Sequence, residues 1–171
     1  MIAVGKKPVK RICKISKPRI GGLTMMEGMN TTMKIVFTKG LPEDSEARRI
    51  REEVFIREQG FRQEFDETDS EALHAVLFAD GRAVATARAY PKGNGCWAVG
   101  RVAVSRDCRG MGWGRVIMQS MEQKLREIGV KNVELSAQVQ ARGFYESLGY
   151  AAYGSEYLDE HCPHVAMKKE L

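Results

Sequence analysis

The chain predicts one α/β (α+β) domain, built as a mixed, mostly antiparallel sheet flanked by helices on both faces. Three observations carry this expectation. Alternating apolar runs at 73–79 and 82–90 are joined by Asp80-Gly81, a two-residue hairpin signal, and Pro91-Lys92-Gly93-Asn94-Gly95 turns the chain into a third run at 97–104. These three strands form an antiparallel meander. The third run leads through a glycine-rich turn and an amphipathic helix to a further strand at 132–137, a crossover that is right-handed and makes the two strands parallel. Finally, 171 residues with 43% hydrophobic content suffice for one core and leave no room for a second domain.

Each element follows from local pattern. Residues 34–37 read as a short strand, and Leu41-Pro42-Glu43-Asp44-Ser45 opens a helix with acids and a cap in its first turn. Its apolar face is Ala47, Ile50 and Val54. Residues 59–70 are polar and acidic without periodicity, with Glu64, Asp66, Glu67 and Asp69 in close succession, so they read as a solvated loop or short irregular helix. In the 82–90 strand, alternation puts Ala83, Ala85, Ala87 and Ala89 on one face. The helix after the glycine turn carries a stripe of Trp113, Ile117, Met121, Leu125 and Ile128 and stops near Gly129. A second short helix at 140–148 ends at Gly149, and 150–153 and 164–167 close the chain as two strands around a polar loop.

Charge is unevenly spread. Residues 1–26 hold seven Lys or Arg and no acid, whereas the remaining 145 carry 20 basic against 22 acidic residues. The expectation is therefore a basic, disordered extension over 1–32 and a nearly neutral domain over 33–171. The extension has no apolar core or small-residue cleavage site, which argues against a secretory signal, and such a short basic run is only a weak pointer to nucleic acid. No apolar stretch approaches the roughly 18 residues of a membrane span. Cys13, Cys96, Cys108 and Cys162 are scattered without a Cys-x-x-Cys pair, the pattern of a reduced, cytoplasmic chain. His161, Cys162 and His164 offer at most part of a zinc ligand set, so no metal is expected.

The chemistry concentrates in Arg109-Gly110-Met111-Gly112-Trp113-Gly114, at the strand-to-helix turn. Glycine permits positive φ and close approach of backbone to a ligand, while free amides and the positive end of a helix attract anions. A phosphorylated ligand is expected there. A nucleoside triphosphate loop would need Lys-Ser/Thr after the glycines, where Arg115-Val116 stands. A dinucleotide fingerprint would need its third glycine one residue later than Gly114 and an acid closing the next strand, whereas Glu134 lies in mid-strand.

The remaining pattern, Arg-x-x-Gly-x-Gly after an apolar strand, resembles the GNAT N-acetyltransferase superfamily. Gln138-Val139-Gln140-Ala141-Arg142-Gly143-Phe144-Tyr145-Glu146-Ser147-Leu148-Gly149-Tyr150 is similar to that family's Asn-x-x-Ala-x-x-Phe-Tyr-x-x-x-Gly-Phe segment, with Gln138 in place of Asn. The resemblance implies a sheet flanked by helices and acetyl-CoA as cosubstrate. It implies that Arg109, Gly110, Met111, Gly112, Trp113 and Gly114 wrap the pyrophosphate, with Arg115 at the helix start. Val102, Ala103 and Val104 would hold the pantetheine arm and the thioester carbonyl through main-chain atoms, with Gln138 and Phe144 alongside. Tyr145 would give a proton to the departing thiolate. No carboxylate lies in 100–104, so the base is open among Glu58, Glu64, Glu67, Glu156, Asp159, Glu160 and His164; a histidine titrates near neutral pH, which singles out His164. His74 reads as a satisfied, partly buried hairpin residue. The implied partner is a small-molecule or peptide amine, a homodimer is left open, and the alternative function is a non-catalytic acyl-CoA sensor.

Overall fold

The computed structural model describes residues 31–171, so the basic extension, apart from Thr31 and Thr32, and Cys13 lie outside the described residues. The elements are β1 (Met33–Lys39), α1 (Glu46–Arg51), β2 (Leu73–Ala79), β3 (Arg82–Gly93), β4 (Cys96–Val104), α2 (Trp113–Glu127), β5 (Asn132–Gln138), α3 (Arg142–Glu146), β6 (Ala151–Asp159) and β7 (Cys162–Glu170). They form one seven-stranded sheet in the order β1-β2-β3-β4-β5-β7-β6. Only the β4–β5 pair is parallel, as the crossover requires, and every other pair is antiparallel.

The two faces are covered by different helices. On one, Ile117, Met118, Met121 and Leu125 of α2 are fully buried against Leu77, Ala85, Ala87, Ala89 and Val99. On the other, Ala47, Ile50 and Val54 pack on Val76, Ala83 and Ala103. The predicted single alanine face of β3 is thereby corrected. The register slips between Leu77 and Phe78, which makes Val84 an extra residue and turns Ala83 toward the α1 side. The α2 stripe is also one residue shorter than expected: the helix ends at Glu127, Gly129 takes φ +87°, and Ile128 is 49% exposed. Asp80 and Gly81 both adopt positive φ, the backbone of the tight hairpin turn their sequence predicts.

Two further departures matter for function. Helix α1 does not stop at Arg51 but widens into a π-helical stretch, Glu52–Glu58, in which the Gln59 amide donates to the Val54 carbonyl. The expected polar loop near the C-terminus is instead a continuous hairpin, β6 and β7 joined at Glu160-His161. Pro163 is tolerated inside it because the β5–β7 ladder begins only at His164, leaving no β5 acceptor for the amide that proline lacks.

At the start of the domain, Thr32 exchanges hydrogen bonds with Asp80, its amide to Oδ1 at 2.8 Å and its carbonyl with the Asp80 amide at 2.9 Å. Such an exposed pair is worth about 1 kcal/mol, or about 2–4 °C of melting temperature in a domain of this size. A chain shortened to begin at Met33 is expected to melt within that interval of the parent by calorimetry. A fall of more than about 10 °C would make part of residues 1–32 integral to the domain.

Candidate functional site

Strands β4 and β5 pair only where Cys96, Trp97 and Ala98 face Asn132, Val133 and Glu134, and beyond Ala98 they part. The cause lies on the other edge of β4. Arg88 faces Gly100 and Thr86 faces Ala103, so Arg101 and Val102 together oppose Ala87, a bulge that bends the strand away from β5. A cavity of about 590 Å³ opens at the split, walled by Gly100, Arg101 and Val102 on one side and Ser136, Gln138 and Tyr145 on the other. In a parallel pair the main-chain groups of β4 facing β5 would be bonded; in the split they are open to a ligand.

The glycine turn stands at the far end of β4. Gly110 and Gly112 adopt φ of +77° and +83°, and a Cβ on either would meet nothing within 4 Å. Gly112 caps α2 without a side-chain bond, and the main-chain amides of residues 110–114 donate to no group among the described residues. These unpaired donors at the positive end of a 15-residue helix make an anion cradle. Met111, 63% exposed, forms the tip, while Trp113 packs on the core.

The remaining members of the loop have mainly structural contacts. A Cβ on Gly114 would come within 3.3 Å of Phe144 Cζ and 3.7 Å of Val104 Cγ2, so its bareness lets α2 seat against α3 rather than admitting a ligand. The Arg109 guanidinium is committed: Nε donates to the Val104 carbonyl at 3.1 Å, and Nη1 and Nη2 clasp Glu58 at 2.6 and 2.8 Å. That hydrogen bonding holds the Glu58 carboxyl below its usual range and removes it as a base. Arg115 bridges to Ser147, its Nη2 donating to the Oγ at 2.8 Å.

Ala103 is buried against the α1 face, and Val102 and Val104 pack at the edge of the α2 core. Gln138 does not cap the turn that follows it. Its Nε2 donates to Gln59 Oε1 at 2.8 Å, tying β5 to the end of the π-helical stretch. Phe144 packs edge-on against Tyr145, with centroids 5.0 Å apart. Tyr145 is half-buried, and its hydroxyl has no partner among the described residues, so its proton is free for a ligand. Burial pushes its pKa up to about 12.

His164 lies on the same cavity, with its ring stacked on Tyr157 and edge-on to Phe61. Its Nδ1 is 2.9 Å from the Cys162 carbonyl, which only accepts, so Nδ1 is the donor there and Nε2 is the ring atom that bears the lone pair in the neutral imidazole. Glu160 is occupied in closing the cavity's rim: its carboxylate accepts the amides of Arg62 and Gln63 at 3.1 Å, while His161 Nε2 bonds the Gln59 carbonyl at 2.9 Å. Among the described residues no three His, Cys, Asp or Glu side chains converge as a metal-holding group.

The acidic segment corrects the expectation of solvated charge. Glu64 and Asp69 are buried beside Arg51, which is wholly inaccessible. Arg51 Nε contacts Glu64 Oε1 at 2.5 Å, and Nη1 reaches Asp69 Oδ1 at 2.7 Å. Arg88 joins Asp69 to Asp66, with Nη1 at 2.9 and 2.7 Å, and Arg101 reaches Glu64 Oε2 at 3.0 Å. His74 is corrected too. It is fully buried under this network, with Nε2 near the Asp69 carbonyl and Nδ1 without a partner, and burial lowers its pKa so that it stays neutral. The network had a readable signal: Arg51 sits at i+4 from Ala47 on the apolar face of α1, a position that demands a buried carboxylate partner.

A strand split facing a helix N-terminus is the architecture of the acyl-CoA-dependent acyltransferases, and the comparisons agree. Residues 42–171 match the acetyltransferase (GNAT) domain, so the chain belongs to the GNAT acetyltransferase family. It is similar to the uncharacterized N-acetyltransferase YjcF of Bacillus subtilis, 33% identical over 141 residues that cover 81% of this chain and 100% of the relative. Among solved structures it is similar to an acyl-CoA N-acyltransferase from Pseudomonas aeruginosa, 25% identical with a TM-score of 0.70 over 81% of this chain and 99% of that one. Escherichia coli ElaA aligns with a TM-score of 0.69 at 26% identity, over 81% and 100% of the two chains.

Proposed function

We propose that this acetyltransferase moves the acetyl group of acetyl-CoA directly onto a primary amine of a small molecule or peptide, in the cytoplasm. The observation that carries the reading is the succession of features along β4: unpaired amides at residues 110–114 beyond its end, an edge unpaired with β5 past Ala98, and the cavity that Tyr145 and His164 share. A pyrophosphate suits the first, a pantetheine arm the second, and a reacting thioester the third. The three free thiols among the described residues suit a reducing compartment.

Direct transfer asks three things of the chain. The amine, with a pKa near 10.4 if it is lysine-like, must lose a proton, and the Nε2 lone pair of His164 takes it. The tetrahedral oxyanion must be stabilised, which falls to the open main-chain amides of β4 around Val102. The departing sulfur must be met by a donor, and the Tyr145 hydroxyl is uncommitted. A phenol near pKa 12 facing an ordinary thiolate near 8.5 donates a hydrogen bond rather than giving up its proton. Tyr145 thus lowers the barrier while remaining neutral, and the proton that the thiolate finally takes is the one drawn from the amine.

The test is acetyl-CoA turnover across an amine panel, followed through free thiol. A protein that binds CoA yet releases no thiol with any amine would favour the acyl-CoA sensor. The cradle has its own test. Gly112→Val must hold φ near +83°, a left-handed conformation costing a β-branched residue about 1–2 kcal/mol, and it adds bulk where the glycine leaves open space for a ligand. CoA affinity is expected to fall at least about tenfold by calorimetry on folded protein, and an unchanged affinity would remove the loop from phosphate binding.

A further inference from the structure

The Arg101 backbone is out of place. Four residues other than glycine adopt positive φ among the described residues, and Asp80, Asn94 and Glu160 sit at hairpin turns. Arg101 alone lies inside a strand, at φ +50° in the bulge of β4, where the left-handed residue of such a bulge is ordinarily glycine. A strained non-glycine residue persists only where its surroundings over-determine it. Here the surroundings are named: Arg101 Nε donates to the Glu64 carbonyl at 3.1 Å and lies 3.0 Å from Glu64 Oε2, and Nη2 is 3.6 Å from Asp66 Oδ2. Glu64 is itself immobilised by the buried Arg51.

We propose that Arg101 is a positioning residue for the transfer reaction: its side chain, anchored on residues 64–66, holds the β4 bulge so that the adjacent Val102 main chain faces the split in the geometry the thioester carbonyl needs. The inference rests on the proposed acetyl transfer and adds to it a residue that touches neither the loop nor the proton carriers. A glycine at 101 would satisfy the backbone but leave the bulge free to flex. The arginine accepts local strain and gains a rigid tie between the strand that faces the donor and the segment that walls the cavity, since Gly100, Arg101, Val102, Glu64 and Asp66 all line the same space. Misplacing an oxyanion donor by about 1 Å is enough to cost about 10²-fold in rate.

Two variants separate positioning from mere structure. Arg101→Gly relieves the φ strain and removes the tether, whereas Arg101→Lys keeps the charge and the strain but loses the guanidinium Nε that reaches both Glu64 groups. Calorimetry first compares CoA with acetyl-CoA. If the parent binds neither, the acetyl-transfer reading fails and this inference goes with it. If the parent binds both, infrared difference spectra of an isotope-labelled thioester carbonyl are expected to show a stretch shifted down in the parent and near its solution value in Arg101→Gly, with CoA affinity unchanged. With an amine acceptor in hand, kcat is expected to fall about 10²-fold at similar KM for acetyl-CoA, and added guanidinium, at levels well below denaturing, is expected to restore part of it where ammonium does not. An Arg101→Gly protein with the parental carbonyl shift, or with parental kcat, overturns the proposal. Should the glycine variant not fold, the same readings on Arg101→Lys decide it.

Discussion

A Tyr145→Phe protein is expected to bind acetyl-CoA as the parent does and to turn over about 10²- to 10³-fold more slowly, a loss of about 3–4 kcal/mol of transition-state stabilisation from one hydrogen-bond donor to the sulfur. The substitution is clean for structural reasons. The ring's edge-on contacts with Phe144 and Tyr150, at 5.0 and 5.9 Å between centroids, do not involve the hydroxyl, and no group among the described residues loses a hydrogen bond when it goes. The melting temperature should therefore stay put, and the deficit should fall on kcat rather than on KM for acetyl-CoA. Because burial pushes the Tyr145 pKa up to about 12, the group remains protonated through any practical assay range. Parental turnover should show no basic limb from tyrosine ionisation up to about pH 10. Stopped assays of thiol release with the best amine, repeated across pH, check both statements. Near-parental turnover in the phenylalanine variant would leave water or His164 as the donor to sulfur.

What the sequence disclosed and what it concealed divide along a physical line. Signals carried by near neighbours were legible: the Asp80-Gly81 turn, the parallel crossover through α2, the glycines whose positive φ opens the cradle, and the Phe144-Tyr145 step. Contacts between segments distant in the chain were not. Periodicity could not show that Arg109 spends its guanidinium on Glu58, 51 residues earlier, or that Gln138 reaches Gln59 instead of capping its own turn. Gly114 looked like its neighbours in the loop, and only the approach of Phe144 separates a packing glycine from a ligand-facing one. The bulges escaped for another reason. An extra residue such as Val84 or Arg101 changes no composition and shifts alternation by a single place, yet it reverses a face in one case and accompanies the β4–β5 split in the other.

The largest stability effect is expected at Arg51, which belongs to the wall behind the site rather than to the chemistry. Arg51→Met fills similar volume but strips Glu64 and Asp69 of a partner that donates to both and to the Glu64 carbonyl, at 2.9 Å. Breaking a buried ion pair by removing one member costs about 3–5 kcal/mol, because the carboxylates left behind remain desolvated. The sign of the pH dependence follows from those carboxylates. Burial pushes the Asp69 carboxyl up, but the hydrogen bonds from Arg51 and Arg88 outweigh it and hold the group well below the usual carboxylate range. A depressed carboxylate contributes stability that is present above its unfolded pKa, near 3.9, and is lost as pH falls through its folded value. For Glu64, burial dominates and its carboxyl is raised despite Arg51 and Arg101, so losing Arg51 raises it further and its ionised form weighs on the fold at neutral pH. Between pH 7.5 and 4.5 it is the raised Glu64 that makes the variant's deficit greatest near neutrality and smaller on acidification, whereas the Asp69 part is lost only below about pH 3.9. Urea unfolding of parent and variant at about pH 7.5 and 4.5 is expected to show the gap narrowing at the lower value. A gap of equal size at both would assign the cost to packing around residue 51, and a parental midpoint at neutral pH would mean that Arg88 and Arg101 alone satisfy the buried pair.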